Sequence, residues 1–187
     1  HVGRQMPATY LKLQDRVREA AAKAADEQAM PLVRWPAFLQ LAREAGFEDS
    51  EEGRRGLGVA AGFAHDLGVL VRFDDNPVLA DRVILQPQWV INVLKTIVRH
   101  DLPDVRLPFD PSLRWDPSYA PSSFEADKRR FLGGDGVLTR RLAIYLWRWQ
   151  GGDFDELDGP TADMLLQLLQ HFQLLFPLAQ GSVQGAD

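Results

Sequence analysis

The stretch that most limits what this chain can fold into runs from Phe63 to Val98. It leaves almost no slack between a helix end, two strand-length runs and a second helix. Gly68 stands where a helix closes on a left-handed residue, so the helix before it stops there. Val69 to Phe73 and Val83 to Leu85 are β-branched and aromatic runs of strand length. Asp74-Asp75-Asn76-Pro77 between them is turn chemistry, so the two runs read as a short β-hairpin. Pro87 suits the first turn of a helix, where its missing N–H loses no partner. That helix carries Trp89, Val90, Val93, Leu94, Ile97 and Val98 on one wide apolar stripe. Trp89 is expected to lock it to the hairpin.

A helix feeding a β-hairpin is a winged-helix layout, with the hairpin as the wing. The fold expected is therefore α+β and mostly helical, built from winged-helix-like units. Upstream, residues 7–28 read as a first helix with Leu13, Val17, Ala20, Ala21 and Ala24 at helical spacing. Pro31 to Trp35 is extended, and Pro36 to Ala45 is a second helix stopped at Gly46. Ser50 caps a third helix, with Glu51 and Glu52 in its first turn and Leu57, Ala60, Ala61, Ala64 and Leu67 along it. Its glycines each cost about 1 kcal/mol relative to alanine, so tertiary packing must hold it. The Gly58/Gly62 spacing is no dimer signal in a soluble protein.

Five of the 12 prolines fall between Asp101 and Ser123. They mark a connection with little regular structure, pinned by Leu107, Phe109, Leu113 and Trp115. Gly133-Gly134-Asp135-Gly136 reads as a flexible joint. Val137-Leu138 is a short strand, Thr139 a cap, and Arg140 to Gln150 a helix. Pro160 or Thr161 opens the last helix, with Met164, Leu165, Leu168, Leu169 and Phe172 facing inward. Leu174 to Leu178 reads as a final edge strand. The expected organisation is a winged-helix-like unit over 1–100, a Pro-rich connection over 101–135, a second small helical/β unit over 136–180, and a tail over 181–187.

The chemistry classes are mostly excluded. The chain has no cysteine, which removes thiolate nucleophiles and cysteine metal ligands. No P-loop appears, nor a dense cluster of metal-ligand types, so no cofactor is expected on this chain. His65 and Asp66 are neighbours about 100° apart on a helix, which is no base–orienter pair, and His65 suits a helix C-terminus. Asp74-Asp75-Asn76 lacks the spaced oxygens of a calcium loop. No apolar run reaches the ~18 residues of a membrane span. The net charge of −5 argues against nucleic acid. The opening His1-Val2-Gly3-Arg4 has neither an initiating Met nor a signal-peptide core, and the chain reads as a piece of something longer. One basic cluster gathers Lys128, Arg129, Arg130, Arg140, Arg141 and Arg148.

Four segments in order resemble the COR domain (C-terminal of Roc) of Roco proteins, the family of the leucine-rich-repeat kinases. They are Pro7-Ala8-Thr9-Tyr10-Leu11-Lys12-Leu13, and Phe63 to Leu70 with Val83 to Val90. The others are Gly136 to Arg141 with Leu146-Trp147, and Leu165 to Phe172 leading into Phe176-Pro177-Leu178. The likeness covers the first half of COR. Ala64 stands where the family usually has a larger apolar residue, and Gln86 where an acidic one precedes the Pro-x-Trp helix. The resemblance implies a non-enzymatic regulatory and scaffold module of the cytoplasm. It would pack on a Ras-like Roc GTPase domain in the same chain, with GTP only on that neighbour. A homodimer would run through the second half of COR, which lies outside the match. Trp115, Arg129, Arg130, Arg140, Arg141 and Trp149 are the candidate interface residues. Gly68, Pro87 and Trp89 are the structural ones. The competing reading is a winged-helix DNA-binding module. Against it, Leu57 to Leu67 holds no Arg or Lys to read base edges.

Overall fold

The structure is a computed structural model that describes residues 6–98 and 106–178. Among these residues, seven α-helices and one two-stranded antiparallel sheet form an α+β, mostly helical fold. The order is α1 (Ala8–Asp26), β1 (Leu32–Arg34), α2 (Trp35–Glu44), α3 (Glu51–Asp66), β2 (Arg82–Ile84), α4 (Pro87–Ile97), α5 (Pro121–Leu132), α6 (Arg140–Gln150) and α7 (Gly159–His171). Short 3-10 turns cover Pro111–Leu113 and Gly152–Phe154.

The helix ends follow from local chemistry. The Ser50 hydroxyl accepts from the Gly53 N–H at 3.0 Å and starts α3, and Asp158 accepts from the Thr161 N–H at 2.8 Å and starts α7. Gly68 ends α3 at φ +67°. Its N–H bonds the His65 carbonyl and the Val69 N–H bonds the Ala64 carbonyl, so the paired C-terminal bonds close the helix. Pro87 is the first residue of α4, where its missing N–H costs nothing.

The sheet differs from the expected hairpin. β2 pairs with β1, with Leu32 opposite Ile84 and Arg34 opposite Arg82. Of the run Val69 to Phe73, only Val71 joins it, as an isolated bridge to Ile84. The strand propensity of 69–73 is real. Even so, the edge of β2 that a hairpin would use is satisfied there by a single residue, and β1 takes the other edge. Val137-Leu138 and Leu174 to Leu178, both expected as strands, form no strand among the described residues. Both line one open groove of about 400 Å³. Phe172, expected inside, is 41% exposed. The described part of the Pro-rich span, from residue 106 on, is also more ordered than its prolines suggested. Pro121 occupies the first turn of α5, where proline starts a helix instead of breaking one.

Side chains on successive strand residues point to opposite faces, and the small sheet uses both. Leu70, Val83 and Leu85 are buried on one side with Leu13, Val17, Phe38, Leu57, Ala61 and Ala64. Ile84 is buried on the other with Trp89, Val93, Tyr145, Trp147 and Leu165. In β1, Val33 packs toward the first set and Leu32 toward the second. The sheet is thus a septum between two cores. Helices α1 to α3 fill one core and α4 to α7 the other. Trp89 shares the second core with Ile84 of β2, and Val71 and Phe73 pack against the same core. The Trp89 ring is stacked 5.9 Å from that of Phe154, inside the second core.

Candidate interface

Helix α6 organises the surface on which the basic and aromatic residues gather. It is buried from Leu142 to Trp147, because it lies between α4, α5 and α7. Only its two ends can present charge. At its start, the Thr139 hydroxyl accepts from the Leu142 N–H at 3.3 Å and donates to Asp127 at 2.7 Å. Asp127 of α5 is 5% exposed and also accepts from the Tyr119 hydroxyl at 3.0 Å. Arg141 lies 3.6 Å from the same carboxylate and 4.8 Å from the centre of the Tyr119 ring. A buried carboxylate needs such partners, since an unpaired one would be costly. Burial, reinforced by the neighbouring Asp127 charge, pushes the Tyr119 phenol well above its ordinary range.

Arg140 is held differently. Its guanidinium donates to Asp163 of α7 and, at 3.1 Å, to the Gly159 carbonyl, while lying 4.8 Å from the centre of the Trp115 ring. The hydrogen bond to Asp163 raises the affinity of Arg140 for its proton. A Cβ on Gly159 would fall 2.8 Å from Trp115 and 2.9 Å from Arg140, so any side chain there would have to displace this stack. Trp115 remains 44% exposed on the outside of this stack.

The six candidate residues thus separate into groups. Trp115 and Arg140 form one stacked corner. Arg141 is engaged with Asp127 and Tyr119. Arg129 and Arg130 sit in the last turn of α5, where cations complement the helix dipole, and form no ion pair among the described residues. Trp149 is half-buried against the second core. Arg148, grouped with them by sequence, binds inward: it donates to the Leu157 carbonyl at 2.8 Å and the Arg114 carbonyl at 3.3 Å. It ties down the connection that the prolines leave irregular.

Sequence reading missed Asp127 and Asp163, because nothing local marks an acid as the partner of an arginine in another element. It also missed the outer face of α3, where Val59 is 60% and Phe63 is 38% exposed. A hint was present, since both lie off the stripe of Leu57, Ala60, Ala61 and Ala64.

No reaction centre assembles among the described residues. His65 accepts through Nδ1 from the Arg72 N–H at 3.3 Å and so fastens the end of α3 to the next segment. His171 meets Phe73 edge to face at 4.6 Å between ring centres, which joins α7 to the same segment. No group of three or more His, Cys, Asp or Glu residues could hold a metal, and no helix is long and apolar enough to cross a membrane. Both statements hold for the described residues.

The comparisons with known proteins fall on the N-terminal part of the chain. The probable serine/threonine-protein kinase pats1 of Dictyostelium discoideum is 33% identical over 98 residues, which is 52% of this chain and 3% of that protein. The cyclic GMP-binding protein C of the same organism is 26% identical over 100 residues, 52% of this chain and 4% of that protein. The chain therefore spans a very small part of either relative. No solved structure matches. The family model of the COR-A domain, C-terminal of Roc, matches residues 7–105, which takes in α1 to α4 and both strands. With more than half of its length matched, the chain belongs to the COR-A family, a GTPase-associated domain that sits next to Roc in Roco proteins.

Proposed function

We propose that this chain is a non-catalytic regulatory and scaffold module of a cytoplasmic Roco protein. It packs against the adjacent Roc GTPase domain and couples nucleotide state to the rest of that protein. The match to COR-A over residues 7–105 carries the reading. The structure supplies a mechanism compatible with it. Any load on α1 to α3 reaches α4 to α7 through a thin two-sided sheet, in which Val83 and Ile84 belong to different cores. Two packed cores that share one strand respond together to a displacement, because close-packed interiors transmit strain.

The order α1, β1, α2, α3, then the Val71 bridge and β2, supports a winged-helix-like arrangement of the first core. The DNA-binding use of such a frame is disfavoured. Leu57 to Leu67 of α3 holds no Arg or Lys, and the chain carries a net charge of −5.

Affinity of this chain for the purified Ras-like domain of its parent protein tests the proposal. It should differ between the GDP form and a form loaded with a non-hydrolysable GTP analogue by about 5-fold or more, the usual scale of such coupling. Equal affinities would remove the coupling, and no binding would remove the packing. GTP should not bind this chain by itself.

A further inference from the structure

We infer that residues 72–78 form a flap, hinged after Val71, that latches the end of α7 to α2 and α3 and lifts without unfolding either core. Both ends of the flap are fixed. Leu70 is fully buried in the first core, and Val71 and Ile84 exchange two backbone hydrogen bonds of 2.8 and 2.9 Å. At the far end, Leu79 is buried in the second core, and its N–H bonds the Asn76 carbonyl at 3.0 Å. Between these anchors Asp74, Asp75, Pro77 and Val78 are exposed.

Arg72 and Phe73 hold the flap down, one on each core. The Arg72 guanidinium lies 3.9 Å from the centre of the Trp35 ring, which starts α2 and packs against the first core. The Arg72 backbone N–H donates to His65 Nδ1 of α3 at 3.3 Å. Phe73 packs against the second core and meets the end of α7 edge to face. Its ring centre is 4.6 Å from that of His171 and 5.9 Å from that of Phe172. The two residues are adjacent, so release of one displaces the other.

Each hold is small. The bond to His65 is long, and edge contacts or a cation over a ring contribute modestly. One buried group also works against the closed form. Asp74 lies 2.6 Å from Arg72 Nε, yet off the line of its N–H. This buried donor therefore has no hydrogen bond among the described residues. Leaving such a donor unmade is costly, and water would satisfy it once the flap lifts. Weak holds opposed from within make a poised two-state element, as a latch requires. Closed, it makes the end of α7 answer to Trp35 and His65 across the division between the cores. Open, it cuts that link.

The device belongs to this chain alone, so its test needs no GTPase domain and is separate from the proposed coupling to one. Relaxation dispersion should show exchange on the microsecond-to-millisecond scale at the amides of Arg72, Phe73 and Phe172, with one shared rate. Trp35→Leu and Arg72→Gln should each raise the open population several-fold. Both should move the His171 ring resonances toward their positions in Phe73→Ala. The same two changes made in a Phe73→Ala chain should leave His171 where Phe73→Ala alone puts it. Leu57→Val, a change in the first core outside the flap, should not move His171. Arg72→Gln guards against damage to the first core by Trp35→Leu, and circular dichroism verifies each fold. Separate rates at the flap and at Phe172 would overturn the inference. So would His171 resonances that ignore Arg72→Gln, or that still shift in the Phe73→Ala chain. If Leu57→Val moves His171 as far as Arg72→Gln does, the link runs through the sheet and the inference fails.

Discussion

The two cores on either side of β2 are built from different materials. In the first, α1 to α3 meet through Ala42, Ala45, Ala60, Ala61 and Ala64, with Phe38 as its one fully buried aromatic ring. In the second, Trp89, Trp147, Tyr119, Tyr145 and Phe124 are all buried, with Phe154 beside them. Small residues bring helix backbones close but bury little apolar area per residue. Aromatic rings bury much more and add edge and stacking contacts. The second core also contains the Asp127 network, whereas the first has no buried charge. The first core is therefore sensitive to added volume, and the second to lost volume and lost polar partners.

The largest expected effect lies in the second core. Trp147 is fully buried and its indole N–H donates to the Val93 carbonyl at 3.2 Å. Trp147→Ala should destabilise the chain by about 3–5 kcal/mol in denaturant unfolding, through the cavity and the lost indole hydrogen bond. A loss below about 1 kcal/mol would mean that the second core is not the packed one. The first core should fail in the opposite direction. Ala61 is fully buried between close helices, so Ala61→Leu should cost about 1–3 kcal/mol by overpacking. A gain in stability there would erase the contrast between the cores.

Much of this contrast was legible in the sequence. The inward alanines of α3 were marked by their spacing, and Ser50, Gly68 and Pro87 gave boundaries that the backbone keeps. Those signals are local, each set within a few residues by a cap or a missing N–H. What the sequence did not disclose was pairing. Val69 to Phe73 has strand propensity, but β1 takes the main edge of β2, and propensity does not choose partners. Trp89 could have served either side of the sheet, because its helix follows the strand that both cores share. The site residues divide the same way. Arg140 and Trp115 were marked by type, while Asp163, Gly159 and Asp127, which decide what those side chains do, are far away in sequence.

Smaller effects sharpen the comparison further. Tyr119→Phe removes one of the hydrogen bonds to buried Asp127, at a cost of about 1–2 kcal/mol. It should also change the alkaline limb of stability. The folded pKa of Tyr119 is raised, so its contribution is complete below the unfolded value near 10 and is lost as pH climbs beyond it. The parent chain should therefore lose stability above about pH 10 more steeply than the variant, as melting temperatures at pH 9 and 11 would show. The smallest effect is at the joint itself. Gln86 is the N-cap of α4 and makes no side-chain capping bond. Gln86→Asp should add about 0.5–1 kcal/mol at neutral pH, and unchanged or lower stability would count against a cap at that position.

The central claim is that α4, although it lies within the COR-A match, belongs energetically to the helices beyond it. Hydrogen exchange under native conditions tests this most directly, because cooperative units open together. Amides of Val90 to Ile97 should share the opening free energy of α6 and α7 and respond to Trp147→Ala. They should be indifferent to Ala61→Leu. If those amides instead open with α1 to α3 and ignore Trp147→Ala, the division into two cores across β2 is wrong.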